Sequence, residues 1–217
     1  MTEPANNRLE RRKARTRAAL IGAARAFIAE GKLTAPILEI TQAADVGMGS
    51  FYNHFDSREH LFQAAVEEAL HDYGEALDRI SDDLDDPAAK FAQNFRLTGR
   101  LHRRNPQLSK ILLHDRPSLA GPLKGVTLLA RRDIDAAIDK GQFTVADPEL
   151  ALVIVAGAAV ALGQLLHDQP ERDDAEATDQ VTEDLLRMMG LSGETAHKLA
   201  IAPLPDIDDL DKHRPTR

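Results

Sequence analysis

The sequence predicts an all-α protein, with an N-terminal three-helix body that contains a helix-turn-helix and a larger C-terminal helical domain. Three observations lead there. Apolar residues make up 43% of the 217 residues but aromatics only 4%, with no Trp, so a core must be built from Leu, Ile, Val, Ala and Met, which suits packed helices better than a β-sandwich. Apolar residues recur at helical spacing in nearly every segment, and strand-like alternation never runs beyond a few residues. Gly at the ends of these segments and Pro, Asp or Ser at their starts punctuate them as helix stops and starts.

In chain order, a first helix is expected over Thr16–Glu30, with Leu20, Ala24, Phe27 and Ile28 on one face and Gly31 as its stop. Pro36 opens a short second helix to Ala44. Gly47 and Gly49 bracket Met48 before a short third helix that ends near Phe55. Asp56 or Ser57 caps a fourth, which carries Leu61, Phe62, Ala65, Val66, Ala69 and Tyr73 on one stripe and continues to Ile80. Further helices are expected over Pro87–Arg104, from Pro106 to His114, from near Leu119 to Lys140 and from Pro148 to His167. Two more run through Met189, where Gly190 stops the first, and over Ser192–Ala200. The expected division is 1–56 for the basic arm and helix-turn-helix, 57–203 for the C-terminal domain, and 204–217 for a disordered tail rich in Pro and Asp.

Composition narrows the chemistry. With no Cys there are no disulfides, thiolate metal sites or cysteine nucleophile. The polar start, Met1 to Leu9, lacks the apolar core of a signal peptide, so a cytoplasmic location is expected. The uncharged stretch Leu150–Leu166 is short for a membrane span and is read as a buried helix, with no membrane partner. The net charge of −8 hides an asymmetry. Arg8, Arg11, Arg12, Lys13, Arg15 and Arg17 cluster with one acid, Glu10, while the body of the chain is acidic. Such an arm either contacts phosphates or is a solvated, frayed terminus.

Short helices joined by a Gly-containing turn make a helix-turn-helix. The helix before the turn offers Ile37, Ile40 and Ala44 as its apolar face, and Val46 fills the space under the turn. The helix after it has Phe51 and Phe55 to bury, which leaves Met48, Ser50, Tyr52, Asn53 and His54 for a groove or its phosphates. The stretch Val46-Gly-Met-Gly-Ser-Phe-Tyr-Asn-His-Phe55, followed by Asp56-Ser57-Arg58-Glu59 and Leu61, resembles the signature of the TetR family of transcriptional regulators.

The resemblance implies a dimeric repressor that binds a palindromic double-stranded DNA operator and is released by a small-molecule effector, apolar or amphipathic, with no cofactor. By that resemblance, Tyr52 and Arg58 contact phosphates, His54 sits near the backbone, and Ser50 and Asn53 face the groove, with Asn53 pairing with an adenine edge. Met48 meets a thymine methyl, Gly49 permits close approach, and Gln42 is a further contact. Two departures from the pattern are Gly47, where a side-chain cap is common, and Ala35-Pro36, where Thr is common. Thr34 is the candidate to take over that capping and phosphate role.

The same resemblance assigns dimerisation to Val153, Ile154, Gly157, Ala158, Ala161 and Leu165 on one face of the Pro148 helix, with Val181, Leu185 and Met188 on the next; intramolecular packing explains the same pattern. Phe91, Phe95, Thr98 and His102 share a helix face and mix apolar bulk with polar handles. That mix fits an effector pocket or an ordinary core stripe; Leu112, Leu128 and Gln164 are added candidates.

The rival class is an enzyme. Glu68-Ala-Leu-His71 and Glu194-Thr-Ala-His197 match half of a di-iron motif, but no pair of inward Glu accompanies them. Neither a Gly-x-Ser-x-Gly turn nor a phosphate-binding Gly loop occurs, so no catalytic or metal residue is expected. A third alternative, a ligand-binding dimer without DNA binding, fits poorly with the intact Gly49-Ser50-Phe51-Tyr52 stretch.

Overall fold

The computed structural model describes the backbone of residues 3–114 and 123–205 and the side chains of residues 8–113 and 123–205. Its helices are α1 (Glu3–Ala29), α2 (Ile37–Ala43), α3 (Met48–Phe51), α4 (Arg58–Ile80), α5 (Pro87–Arg104), α6 (Pro106–His114), α7 (Gly125–Asp139), α8 (Pro148–Asp168), α9 (Asp174–Met188) and α10 (Gly193–Ala200). No strand occurs among the described residues. The N-terminal part of the helix expected from near Leu119, and the tail from 206 onward, lie outside them.

The chain divides into two compact units after Glu68, within α4, rather than at the start of that helix. Physical reasons are visible in the first unit. Leu61, Phe62, Ala65 and Val66 are buried at the start of α4, and Glu68 is held by Arg17 and Arg25 of α1. Leu20, Ile21, Ala24 and Ile28 bury the matching face of α1, with Ile40 from α2 and Phe51 and Phe55 from the α3 region. Helix α1 is longer than the expected Thr16 start, because the basic arm continues it backward without a break.

The turn between α2 and α3 is closed by main-chain bonds. Asp45 N–H donates to the Gln42 carbonyl (3.1 Å) and Val46 N–H to the Thr41 carbonyl (3.0 Å), with Asp45 at φ 51°. This is the left-handed C-terminal cap that usually takes Gly, filled here by one of the few side chains that tolerate it. Gly31, Gly141 and Gly190 end α1, α7 and α9 in the same way, at φ 74°, 68° and 100°.

In the second unit α5 is the central helix, packed by α7, α8, α9 and α10. Asp86 caps its start by accepting from the Ala88 and Ala89 N–H groups, and Pro87 occupies the first position, where a missing N–H costs nothing. Asp147 and Pro148 open α8 by the same device. The main core joins Phe91, Phe95, Ile134, Phe143, Leu152, Val155, Leu166, Leu186 and Met189. Between α5 and α9, the buried Arg96 guanidinium is bound by Asp179 (2.8 Å), which also holds Arg100, and Arg96 donates to the Ala202 carbonyl beyond α10.

Candidate nucleic-acid interface and effector cavity

In the first unit, the two Phe of the α3 region are buried at i and i+4, which fixes what the other side presents. Tyr52 is 60% exposed and Met48 40%, and Gln42, Gly49 and Asn53 are exposed with them. Ser50 and His54 are half-buried. The Tyr52 ring leans edge-on against Phe51, at 5.2 Å between centroids, so its position is set by packing while its hydroxyl end stays free to solvent. A methyl group added at Gly49 would meet nothing within 4 Å. The glycine is therefore not required by the fold of this unit.

Three details bear on individual residues. Arg58 is committed within the protein: it donates to the Thr34 carbonyl (3.0 Å) and pairs with Glu59. Thr34 does not take over a capping role, because the N-cap of α2 is Pro36 and no side chain bonds there; Thr34 serves through its carbonyl instead. Gly47 caps α3 without a side-chain bond, as its lack of a hydroxyl implies. Of the six basic residues of the arm, Arg17 turns toward Glu68 and lies over the Phe55 ring at 5.5 Å, while Arg8, Arg11, Arg12, Lys13 and Arg15 form an exposed basic ridge on α1.

In the second unit, a cavity of about 100 Å³ lies between α5, α7 and α8, with Leu70 of α4 and Leu112 and Leu113 of α6 completing its wall. Phe91, Phe95, Thr98 and His102, which share a face of α5, line it together with Leu112. Leu128 and Gln164 do not. Leu128 is 52% exposed, and its neighbours Thr127, Leu129 and Ala130 face inward instead. Gln164 lies on the outer face of α8, whose inner face contributes Leu152, Val155, Ala156, Ala159 and Val160. Without partners to orient α7 and α8, spacing alone does not say which face turns in.

The polar groups in this apolar wall are few and organised. Tyr73 OH donates to Thr98 Oγ1 (3.2 Å), which donates to the Asn94 carbonyl (2.8 Å). Burial pushes the Tyr73 phenol upward. The Ser81 hydroxyl donates to Asn94 Oδ1 (2.6 Å), and Asn94 Nδ2 donates to Asp133 Oδ2 (2.9 Å). Burial raises the Asp133 pKa above the usual carboxylate value, against the lowering effect of Asn94 and Arg132. His102 Nδ1 meets Ser109 Oγ (2.7 Å), which also meets His167 Nε2 (2.8 Å). Burial, then the neighbouring His167 charge, pushes the His102 imidazole down to about 4, so it is neutral at pH 7. Gly163 makes this possible, since a methyl group there would sit 2.4 Å from His102 Cε1.

Asn94 and Asp133 escaped the sequence reading. Asn94 precedes Thr98 by one turn and was visible as a polar residue on the same stripe. Asp133 sits in a run of charges, Arg131-Arg-Asp-Ile-Asp135, that looks solvent-exposed in sequence.

The outer face of α8 is apolar and open. Val153 is 44% exposed and Ile154 49%, with Leu150, Gly157 and Ala161 exposed beside them. Ala158, Leu165 and Val181 are half-buried, and Met188 is exposed. Leu185 departs from the expectation: it is buried within the intramolecular core and is not available to a partner. By length and composition α8 is apolar enough to cross a membrane, yet its inner face packs against α5, α7 and α9. The Glu-x-x-His motifs are committed separately: Glu68 to Arg17, His71 to Glu75 (3.2 Å) and His197 to Glu183 (2.8 Å).

Two family profiles match the chain. One, described as bacterial regulatory proteins of the tetR family, covers residues 20–65; the other, a tetracyclin repressor-like C-terminal domain, covers residues 86–202. The HTH-type transcriptional repressor DhaR of Mycobacterium sp. (strain GP1) is 32% identical over 69 residues, 32% of this chain and 35% of DhaR, so the match spans about a third of that relative. Among solved structures, RolR in complex with resorcinol superposes with a TM-score of 0.67 at 32% identity, over 91% of this chain and 99% of RolR. RolR without ligand gives 0.71 at 32% identity, over 88% and 99%. FadR of Bacillus subtilis, in complex with stearoyl-CoA, shares the fold at a TM-score of 0.59 and 16% identity, over 81% and 98%.

Proposed function

The chain belongs to the TetR family of transcriptional regulators, and from that premise we propose that it is a repressor that binds a palindromic operator as a homodimer and leaves it when a single-ring effector fills the cavity. The observation that carries the DNA-binding half is the exposed surface around α3. Phe51 and Phe55 anchor the helix, and the side left outward carries Met48, Gly49, Tyr52 and Asn53. Ser50, His54 and Gln42 border it, and the basic ridge of α1 adds sequence-independent attraction to phosphates. Arg58 and Thr34 act as a clamp that presents the start of α4.

The outer face of α8 supplies the dimer contact. Val153, Ile154, Gly157, Ala158, Ala161 and Leu165 run along it, and Val181 and Met188 flank it on α9. Small residues at Gly157, Ala158 and Ala161 let two helices approach closely, and pairing covers apolar surface that otherwise faces water. This covering, rather than lipid, accounts for the hydropathy of α8, and the protein works in the cytoplasm.

The effector follows from the cavity's size and from likeness to RolR. An engineered cavity of roughly 150 Å³ lined by Leu, Ile and Phe binds benzene, so a space of about 100 Å³ suits one ring rather than an acyl chain. Resorcinol, the ligand of RolR, is such a ring. The effector acts by favouring a state with lower DNA affinity.

Selection of bound sequences from a random DNA library, followed by affinity measurement across a salt series, tests the DNA-binding reading. The expected result is an enriched palindrome whose log affinity falls linearly with log salt. Absence of enrichment at low salt refutes it. Titration with resorcinol, using the wild type and Ala156→Phe, which fills the cavity, tests the effector reading. Binding by the wild type alone is expected; equal binding by both places the ligand elsewhere.

A further inference from the structure

We propose that Asp133, oriented by Asn94, is the group that selects the effector, and that it selects a neutral ring bearing a hydroxyl over one bearing a carboxylate. This rests on the cavity reading above and deepens it.

Asp133 is 2% exposed, on the inner face of α7, and it lines the cavity together with Asn94. A carboxylate in an apolar wall is costly unless its oxygens are hydrogen-bonded. One oxygen is provided for: Asn94 Nδ2 donates to Oδ2 at 2.9 Å. The amide cannot turn around, because its own oxygen is held by the Ser81 hydroxyl at 2.6 Å, and Gln93 Nε2 in turn donates to Ser81 Oγ at 3.2 Å. A chain of three side chains therefore fixes which face of Asp133 is used.

The other oxygen is served weakly. Its one described partner is Arg132 Nη2 at 3.5 Å, and that guanidinium is 51% exposed and committed to Asp78 through both of its terminal nitrogens. Oδ1 thus keeps acceptor capacity on a side chain that is almost wholly buried. A ring hydroxyl donating to it gains a charge-assisted hydrogen bond in a low-dielectric setting.

The same placement rejects acids. Among the described residues that line the cavity there is no Lys or Arg, and the one other titratable side chain, His102, is neutral at pH 7 with Nδ1 engaged by Ser109. A ligand carboxylate would meet the Asp133 carboxylate with no cation in the lining to bridge them, Arg132 being held by Asp78, and like charges in a desolvated site repel strongly. Rejection of acids belongs to the ionised form: burial raises the Asp133 pKa, and a protonated Asp133 donates to a ligand carboxylate, so the preference weakens as pH falls. A hydroxylated ring bonds both forms, and the charged one more strongly.

The test is calorimetric titration of the full chain with three ring probes of similar size: resorcinol, benzoate and benzylamine. Asp133→Asn keeps the shape and the bond from Asn94 but removes the charge. The wild type is expected to bind resorcinol at least tenfold more tightly than either other probe. Asp133→Asn is expected to lose about 10- to 100-fold in resorcinol affinity, the range for a hydrogen bond to a charged group, and to narrow the gap to benzoate. Asn94→Ala, which leaves the charge but frees its orientation, should lose resorcinol affinity by a smaller factor, so the inference stays testable if one variant folds poorly. Resorcinol affinity unchanged in both variants overturns the role of Asp133 while leaving the cavity reading intact. Wild-type preference for benzoate overturns the selection against acids, and preference for benzylamine makes the site a cation site instead. If the wild type binds none of the probes, the effector reading falls and this inference with it.

Discussion

Substituting Gly125 by Ala tests the way α7 is seated on α4. Gly125 opens α7 at φ +53°, and a methyl group there would lie 2.5 Å from both the carbonyl carbon and the oxygen of Leu70. Two costs follow. The left-handed backbone penalises a side chain by roughly 1–2 kcal/mol. The contact is with main chain in the middle of α4, so no rotamer change relieves it, and forcing an extra methyl into such a place costs about 1–3 kcal/mol more. The expected loss is about 2–5 kcal/mol. Gly141 is the internal control: it has φ +68° but open space where the methyl would go, so Gly141→Ala isolates the backbone penalty at about 1–2 kcal/mol. Both glycines lie in the same compact unit and report on the same transition. The assay is urea unfolding followed by helical circular dichroism, read as a change in midpoint at constant slope. Equal losses for the two variants would falsify the close backbone contact between α7 and α4.

Other consequences can be checked in parallel. Asp179→Ala leaves the guanidinium of Arg96, whose side chain is 5% exposed, without its carboxylate; with Asp179 itself 24% exposed, unfolding midpoints should report a loss of about 2–4 kcal/mol, smaller in the double variant with Arg96→Met, and no loss refutes the clamp. The depressed His102 pKa, about 4 against 6.5, means the unfolded chain takes up this proton first as pH falls. Stability from this group is therefore complete above pH 6.5 and declines by about 3 kcal/mol as pH falls to 4. Comparing the pH profiles of wild type and His102→Leu isolates the effect, and parallel profiles exclude it. Gly49→Ala touches nothing within 4 Å, so it should leave unfolding unchanged or slightly improved while weakening operator binding; unaltered DNA affinity removes the argument for close approach.

What the sequence conveyed depended on whether a signal was local. Caps are local: Gly31, Gly141 and Gly190 end their helices where expected, and Pro87 and Pro148 begin theirs. The buried pair Phe51 and Phe55 was legible from spacing, and with it the outward side of α3. The orientation of helices that are apolar on both sides was not. In α8 both faces are apolar, and spacing does not tell that Gln164 points away from the cavity, nor that Leu185 on α9 is buried. The helical character of the basic arm was missed because it carries no apolar stripe to give a period. Asp133 was missed because a charge beside other charges gives no sign of burial; only the long-range bond from Asn94 reveals it.

The seam between α4 and α7 is made by main chain against main chain, at Leu70, Gly74, Gly125 and Val126, whereas the cavity wall is made by side chains of α5, α7 and α8, and those of α8 lie outside the seam. Mutation can therefore work on the two separately. Exchanges at Val155, Ala156, Ala159 or Val160 resculpt the cavity without altering how α7 rests on α4. Such a division favours divergence: descendants of this chain can reshape the cavity by small steps in one helix while inheriting the seam unchanged, and a library restricted to those four positions is the natural starting point for a sensor of a chosen compound.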